Sequence, residues 1–191
     1  MKKFTSIIAL LIVTLTAVSQ TTWKADPYHS YLGFEVTHLG IAEVPGNFNK
    51  YDVTITASKA DFSDAVVEMT AEIGSINTRV DARDNHLKSA DFFDAEKYPT
   101  MTFKSTSIKK KGKDKYEVTG NLTMHGVTKQ VTVEMEFNGT TKNPNAKGAP
   151  VAGFEIEGKI KRSDFNIGSG FPAPMISDEV EIKAYGEFGQ K

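Results

Sequence analysis

Apolar and polar residues alternate with a period of two along most of the chain. In an extended strand, neighbouring side chains point to opposite faces, so each alternating stretch predicts a β-strand with one apolar face. Turn residues separate most of these stretches, which favours an antiparallel sheet. The eight predicted strands span residues 31–38, 51–56, 67–73, 101–103, 116–124, 131–137, 154–160 and 180–188.

Eight strands that each carry one apolar face need another apolar surface to cover that face. A sheet meets this need by closing on itself or by packing against a second sheet. Closure also removes both free edges, and eight strands leave an interior just wide enough for side chains or one small ligand. The sequence therefore predicts an all-β protein built as a closed, eight-stranded antiparallel β-barrel.

Several inward positions of the predicted strands carry small residues. Small side chains leave room for a ligand, although glycines also let strands bend at the corners of a barrel. Together they favour an interior that the protein's own side chains do not fill, and the alternative is a structural barrel with a packed interior. These positions are Ala71, Ser105, Gly120, Gly158, Ala184 and Gly186.

Residues 77–99 interrupt the alternation between the third and fourth predicted strands. Their charges and lack of internal Gly or Pro suit one or two helical turns, and Pro99 bars helix before the next strand. We expect a short helical cap over an open end of the barrel. Phe92, Phe93 and Leu87 would then line the rim of an apolar interior. The alternative is that the two rings complete a small core under a long loop.

The N-terminal segment has the composition of a secretory signal peptide. A basic start precedes an apolar run at 7–18 and small residues, with cleavage expected after Ser19. The apolar run is too short for a membrane span, which takes roughly 20 residues. We therefore divide the chain into a signal peptide at 1–19 and one domain at 20–191. The domain is expected to be exported, periplasmic or secreted, with no stable membrane anchor.

Composition excludes several kinds of site and partner. The chain has no Cys, which excludes disulfides, thiolate metal sites and a bacterial lipoprotein anchor. Loss of Lys2 and Lys3 lowers the basic count from 23 to 21 against 24 acidic residues, so the mature net charge is −3. No nucleic-acid partner is expected, because such a partner needs a basic surface. The basic cluster at 109–115 favours a solvated hairpin turn over an anionic-membrane patch.

The polar residues give little support for catalysis or metal binding. The four histidines lack the spacing of a zinc site, and the usual nucleophile and nucleotide-binding motifs do not occur. We expect no enzyme activity, no metal and no cofactor. The polar run at 83–89 is interpreted as surface polarity with a local helix cap. His125 precedes Gly126 at a predicted tight turn outside the barrel.

His38 is the one inward-facing base that the alternation provides. It shares a face with Phe34 and Val36 near the end of the first predicted strand. At the rim of a cavity its ring could hydrogen-bond the head of a ligand, and the alternative is a buried histidine bonded to the backbone. The main rival function is an enzyme that acts on a lipidic or isoprenoid substrate in the same cavity, with His38 as its base.

Four blocks of sequence, taken in order, resemble the YceI-like polyisoprenoid-binding family. The blocks lie at 23–51, 75–106, 116–139 and 160–168 and cover nearly all of the mature chain. One departure is Asn166, where the R-x-x-F-G-[IVL] segment of the family has Gly, although Asn tolerates left-handed backbone better than most residues. The resemblance implies an exported, lipocalin-like β-barrel that encloses a long isoprenoid chain or another amphiphilic lipid. It implies no catalytic residues.

The expected ligand-binding residues follow from the resemblance and the alternation together. Large ligands retain about 0.3 kcal/mol per heavy atom, so chain length is expected to set affinity more than the head group does. The expected function is a carrier or sequestering protein without catalysis, either a monomer or a homodimer. The residues that lie in matching blocks and point inward, or belong to the cap, are Phe34, Val36, His38, Phe92, Phe93, Met101, Phe103, Leu122, Met124 and Val131.

Overall fold

The computed structural model describes residues 19–191, which form ten β-strands, one α-helix and three short 3₁₀ turns. The predicted signal peptide, except for its last residue, lies outside this part of the chain. No helix within 19–191 is long and apolar enough to cross a membrane. The strands are β1 (Thr21–His38), β2 (Ala42–Phe48), β3 (Tyr51–Ala57), β4 (Val66–Glu72), β5 (Ile76–Asn77), β6 (Thr100–Lys110), β7 (Lys115–Met124), β8 (Val127–Asn143), β9 (Ala149–Lys161) and β10 (Glu179–Gln190), and the helix is α1 (Asp81–Lys88).

Eight of the ten strands form a closed antiparallel circuit. Starting from β1, the pairing runs through β3, β4, β6, β7, β8, β9 and β10, and β10 pairs with β1 again. Each strand of the circuit presents its apolar face to the interior, which explains the period-two pattern. The predicted eight-stranded antiparallel barrel is confirmed, and α1 lies between β5 and β6 as the predicted helical interruption.

β1 changes partner along its length and so gives the barrel two different ends. Residues 21–24 pair with β3, whereas residues 33–38 pair with β2. Between them the register against β10 shifts between Ala25 and Ser30. Irregularities of this kind bend a strand and increase its twist. The barrel is therefore closed near Trp23 and splayed near His38.

The pattern of the sequence did not predict β2 and β5. β2 contains Pro45 and Gly46, which read as turn residues, and proline is tolerated on an edge strand because it has no N–H to donate. The outer side of β2 is such an edge, since it pairs only through Asn47 and Phe48 with β5. β5 has two residues, too few to show any alternation.

The predicted turns at the basic cluster and at His125 are confirmed. The Lys111 N–H donates to the Lys115 carbonyl at 2.8 Å and so closes the hairpin between β6 and β7. His125 and Gly126 have φ angles of 50° and 73°, as a two-residue type I′ hairpin turn requires. His125 Nδ1 also lies 2.9 Å from the Phe165 carbonyl oxygen, which ties this turn to the segment that follows β9.

A large apolar core fills the closed end of the barrel. Phe62 caps this end, with ring centroids 4.8 Å from Phe137 and 4.9 Å from Phe154. Trp23 meets Phe62 edge to face at 5.5 Å, and Ile55 beneath them is fully buried. Rings at these distances leave no space for a ligand. Open space in the barrel therefore lies toward the splayed end.

The small inward residues do not by themselves create that open space. The Phe103 ring occupies the position that a side chain on Gly120 would take, and Val133 does the same at Gly158. Ser30 fills the corresponding space at Gly186. The expectation of empty volume is therefore wrong at these three glycines, which instead make room for a neighbouring side chain. Ala184 does line one of the two cavities described below.

Candidate functional site

A cavity of about 410 Å³ lies at the splayed end of the barrel. Seven strands contribute to its walls, together with α1, the turn after α1, and the segment 162–178 that joins β9 to β10. Most of its lining side chains are aliphatic or aromatic. Cavities that hold small molecules commonly measure about 300–1,000 Å³, so this one has room for a small ligand or for part of a long chain. A fully packed interior is therefore wrong for this end of the barrel.

A second cavity of about 90 Å³ lies deeper, against the core of the closed end. Tyr51 contributes to its wall, and burial raises the pKa of this phenol above its ordinary value of 10.0, so the group is neutral. The two cavities are neighbours, because four side chains line both. The shared side chains are Leu32, Met69, Leu122 and Ile182.

The ten predicted ligand-binding residues all line these two cavities. Phe103 and Val131 line the smaller cavity, and Leu122 lines both. Their location is thus a property of the structure, whereas their contact with a ligand stays a prediction. The predicted residues around the main cavity are Phe34, Val36, His38, Phe92, Phe93, Met101, Leu122 and Met124.

Phe92 and Phe93 both face the cavity because the chain after α1 is a turn rather than a strand. Asp94, the next residue, has a φ of 48°, which reverses the chain direction. Phe92 is buried and stacks on Phe171 with the ring centroids 4.9 Å apart. Phe93 is half-buried and meets Phe48 edge to face at 6.3 Å. The two rings therefore cover the barrel end, as the cap interpretation expected.

His38 lies exposed at the mouth of the cavity. Its backbone pairs with Ile176, and within residues 19–191 its ring makes no hydrogen bond. The alternative of a buried histidine bonded to the backbone is therefore wrong. The position follows from β1, which ends at the splayed end of the barrel.

The interpretation of residues 83–89 as surface polarity with a helix cap holds for exposed Asn85 and His86 and for Ser89, which ends α1, but it is wrong for Arg83 and Asp84. Arg83 and His86 line the cavity, and Asp84 is only 9% exposed. Asp84 Oδ1 accepts hydrogen bonds from the Thr78 N–H at 2.8 Å and from the Thr78 hydroxyl at 2.5 Å. The sequence carried a signal for this arrangement, since Arg83, His86 and Leu87 have the spacing that places side chains on one face of a helix.

Arg162 is a buried cation in the wall of the cavity, and the alternation of apolar and polar residues gave no sign of it. It is 8% exposed, and each of its five N–H donors is directed at a backbone carbonyl. These bonds hold the segment 162–178 against the mouth of the barrel. The accepting oxygens belong to Ser177 at 3.0 Å, Ile167 at 2.9 Å, Gly168 at 2.6 Å, Phe171 at 2.5 Å and Ile176 at 3.1 Å.

Asn166 adopts the left-handed turn that we expected asparagine to tolerate at this position. It ends the 3₁₀ turn Arg162–Phe165 with φ 58° and ψ 28°, in the left-handed region. The Ile167 N–H then donates to the Arg162 carbonyl at 3.2 Å. The departure from Gly therefore leaves the local backbone intact.

This chain is similar to known proteins both in sequence and in fold. The YceI-like domain family matches residues 23–188. Protein YceI of Salmonella arizonae is 42% identical over 177 residues, which cover 91% of this chain and 89% of that protein. The crystal structure of Burkholderia cenocepacia BcnA has a TM-score of 0.75 at 29% identity, covering 86% of this chain and 98% of its own.

A more distant structure shares the fold alone. It is described as a polyisoprenoid binding domain from Saccharophagus degradans implicated in plant cell wall breakdown. Its TM-score is 0.66 at 15% identity, over 91% of this chain and 100% of that domain. The resemblance carried by the four sequence blocks is confirmed by the match over residues 23–188, and the chain belongs to the YceI-like domain family.

Proposed function

We propose that the protein is an exported carrier or sequestering protein that holds a long isoprenoid or similar amphiphilic lipid chain in the barrel and performs no catalysis. The observation that carries this proposal is the apolar cavity of about 410 Å³ at the splayed end, with a second apolar space adjoining it. The S. degradans domain of the same fold, described as polyisoprenoid binding, supports the choice of ligand class. The proposed location is the periplasm or the cell exterior, and the proposed state is a monomer or a homodimer.

Burial of hydrocarbon supplies the binding energy in this proposal. Each buried methylene contributes about 0.8 kcal/mol before ordering costs, and large ligands retain about 0.3 kcal/mol per heavy atom. A chain of about forty carbons that was fully enclosed would reach roughly 12 kcal/mol, near nanomolar affinity. The main cavity lies toward the small end of the usual range, so a chain of that length must also enter the smaller cavity or protrude from the mouth.

The central experiment is native mass spectrometry of protein purified without detergent. We expect bound mass that organic extraction removes, and the extract identifies the lipid. A variant with Val36 replaced by Trp narrows the mouth and should lower the bound fraction. The matched control is Thr37→Trp, the same change on the outward face of β1. Absence of bound mass, together with failure of a fluorescent prenyl alcohol to bind, would contradict the proposal.

Replacement of His38 separates a carrier from an enzyme acting in the same cavity. His38 is exposed at the rim and contributes little to the apolar wall, so His38→Ala should leave the bound lipid unchanged. An enzyme that used this ring as its base would keep its substrate bound but lose turnover. Chemical conversion of the extracted lipid by the wild type, lost in His38→Ala, would refute the absence of catalysis.

A further inference from the structure

The charged side chains in the wall of the main cavity are all cationic. They are Arg83 and Arg162, and no Asp or Glu of the described chain lines this cavity. The whole chain has a formal net charge of −1, so the positive wall is a local property and does not reflect the composition. A charge beside an apolar, poorly hydrated space is weakly screened and favours a ligand of opposite charge.

Arg162 supplies charge to this wall but no free hydrogen-bond donor. All five of its N–H groups are directed at backbone carbonyls, as described above. Carbonyl dipoles stabilise the guanidinium without cancelling its net charge. Arg162 therefore contributes a positive potential and holds the mouth segment in place, and a ligand must find its donors elsewhere.

Arg83 does have donors to spare. Its Nε donates to the Thr78 hydroxyl oxygen and its Nη2 to the Thr78 carbonyl, both at 2.8 Å. Three of its five N–H groups, including both on Nη1, have no partner among the residues of 19–191. The Thr78 hydroxyl in turn donates to Asp84, which is buried and does not line the cavity. This chain of bonds fixes the guanidinium beside Thr78, and both residues line the cavity.

The surroundings of Arg83 place these free donors near the mouth of the cavity. His86 lies three residues further along α1, on the same face, and its side chain is 46% exposed. Its ring meets Phe92 and Phe171 edge to face at 5.0 and 5.4 Å. At α1 the wall of the cavity therefore changes from buried aromatic rings to a half-buried cation. An amphiphile needs this sequence of environments, with the chain inside and the head at the mouth.

We propose that Arg83 binds an anionic head group, a phosphate or a carboxylate, on the amphiphile whose chain occupies the cavity. The inference rests on the proposed function, because only a ligand with its chain in the barrel brings its head to α1. The planar fork of arginine matches the paired oxygens of both groups, and hydrogen bonds between ions are about twice as strong as neutral ones. A neutral alcohol or quinone head would leave the cationic wall without a counter-ion.

The test compares ligands that share a chain and differ in the head group. One pair is geranylgeraniol and geranylgeranyl monophosphate, and the other is hexadecanol and palmitate, each measured by displacement of a fluorescent prenyl alcohol. We expect the wild type to prefer the anionic member of at least one pair about tenfold to a hundredfold. The pair with the larger preference identifies phosphate or carboxylate as the natural head. Arg83→Gln should abolish the preference and leave the affinity for the alcohols within about twofold.

The controls separate head-group binding from support of the cavity wall. Arg79→Gln removes the same charge from an exposed residue that does not line the cavity, and the preference should survive. Arg83→Lys keeps the charge without the fork and should keep part of the preference, which provides a second variant if Arg83→Gln fails to fold. Equal affinity of the wild type for both members of each pair would overturn the inference and leave the carrier function standing. Equal loss of alcohol and anion in Arg83→Gln would also overturn it, and binding of no ligand would remove the carrier function itself.

Discussion

Arg162 shows how a full charge is kept in the wall of an apolar cavity. Within residues 19–191 it forms no ion pair, and an isolated buried charge is costly unless hydrogen bonds compensate it. Five carbonyl oxygens provide that compensation, and all of them belong to the segment that runs from Ile167 to Ser177. The same bonds therefore stabilise the charge and order one side of the cavity mouth.

Removal of the Arg162 side chain should destabilise the protein strongly. In Arg162→Met several buried carbonyls lose their donor at about 1–3 kcal/mol each, so we expect the free energy of unfolding to fall by about 3 kcal/mol or more. Urea denaturation measures this loss. Lys161→Met, at the exposed neighbouring position on β9, is the matched control and should change stability by less than about 0.5 kcal/mol. A loss below about 1 kcal/mol in Arg162→Met would show that the carbonyls find other donors.

Asp26 and His29 form an exposed pair at the irregularity of β1. His29 Nδ1 lies 3.0 Å from Asp26 Oδ2. This hydrogen bond is the main cause, and the Asp26 charge the second, of a pKa of His29 above its ordinary 6.5. The hydrogen bond to His29 is likewise the main cause, and the bond from the Tyr28 N–H the second, of a pKa of Asp26 below its ordinary 3.8.

The two shifts make the stability of the fold depend on pH. The histidine contribution to stability is present below pH 6.5 and is lost as the pH rises through the raised pKa. The aspartate contribution is present above pH 3.8 and is lost as the pH falls through the lowered pKa.

The pair should therefore stabilise the fold most between these two values. Asp26→Asn should return the pKa of His29 toward 6.5, which NMR titration of the imidazole protons measures. The stability difference between wild type and Asp26→Asn should be larger near about pH 5.5 than near about pH 9. Asp52→Asn removes a comparable exposed charge from β3 and should leave the titration of His29 unchanged. An identical His29 titration in wild type and Asp26→Asn would contradict the pairing.

At the scale of elements, the turn after α1 is the part of the cap that packs most tightly. Phe92 is 5% exposed and lies against the rings of His86 and Phe171, whereas Phe93 is half-buried. α1 itself has eight residues and is too short to be stable without such packing. The cap therefore depends on Phe92 for its attachment to the barrel.

Truncation of Phe92 should loosen the cap and weaken ligand retention together. Phe92→Ala is expected to cost about 3–5 kcal/mol of stability, the usual range for a buried phenylalanine. Phe93→Ala is the internal control, because its ring is less buried and its loss should cost less. Urea denaturation and binding of a fluorescent prenyl alcohol measure the two effects. An equal loss of unfolding free energy in the two variants would mean that both rings belong to one small core. It would contradict the view that Phe92 alone attaches the cap to the barrel.

The alternation of apolar and polar residues predicted the strands whose whole apolar face is buried in the barrel. It located the eight strands of the circuit but began the first at Tyr31, because the preceding residues carry Pro27 and the irregularity of β1. It missed β2, where Pro45 and Gly46 imitate a turn at what is an unpaired edge. Inward-facing apolar residues of the cavity were predictable for the same reason. Arg162 was not, because alternation marks apolar faces and gives no sign that a charge on a loop points inward. Arg83 could be found only from the helical spacing that it shares with His86 and Leu87.

At the scale of the whole molecule, one end of the barrel provides stability and the other end provides space for a ligand. The closed end contains the packed rings around Phe62, and the splayed end contains the cavities. Packed rings contribute to the free energy of folding. Side chains that line the open space lack such contacts, so the cavity lowers stability but leaves room for a ligand. A ligand that fills the space should therefore raise the stability of the protein as well as bind to it.

The combined length of the two cavities should set the chain length that binds best. In a series of straight-chain alcohols, each added carbon should improve the free energy of binding by about 0.3 kcal/mol until both cavities are full, after which affinity should level off. Ala184→Phe fills the smaller cavity and should move that plateau to a shorter chain. Lys183→Phe, on the outward face of β10, should leave it in place. An unchanged plateau in Ala184→Phe would show that the chain never enters the smaller cavity.

Because β1 changes partner, β2 rather than β3 lies beside it at the splayed end, and the outer side of β2 is weakly paired. Only two residue pairs join β2 to β5, while the ladder between β1 and β10 runs nearly the length of both strands. Backbone amides that β2 directs toward β5 should accordingly exchange with deuterium well before those around Trp23, since opening of that ladder breaks few bonds, whereas six residue pairs hold β2 to β1. In the proposed carrier, this weakly paired edge would be the part of the mouth that moves when a lipid enters, while the packed rings at the closed end stay in place.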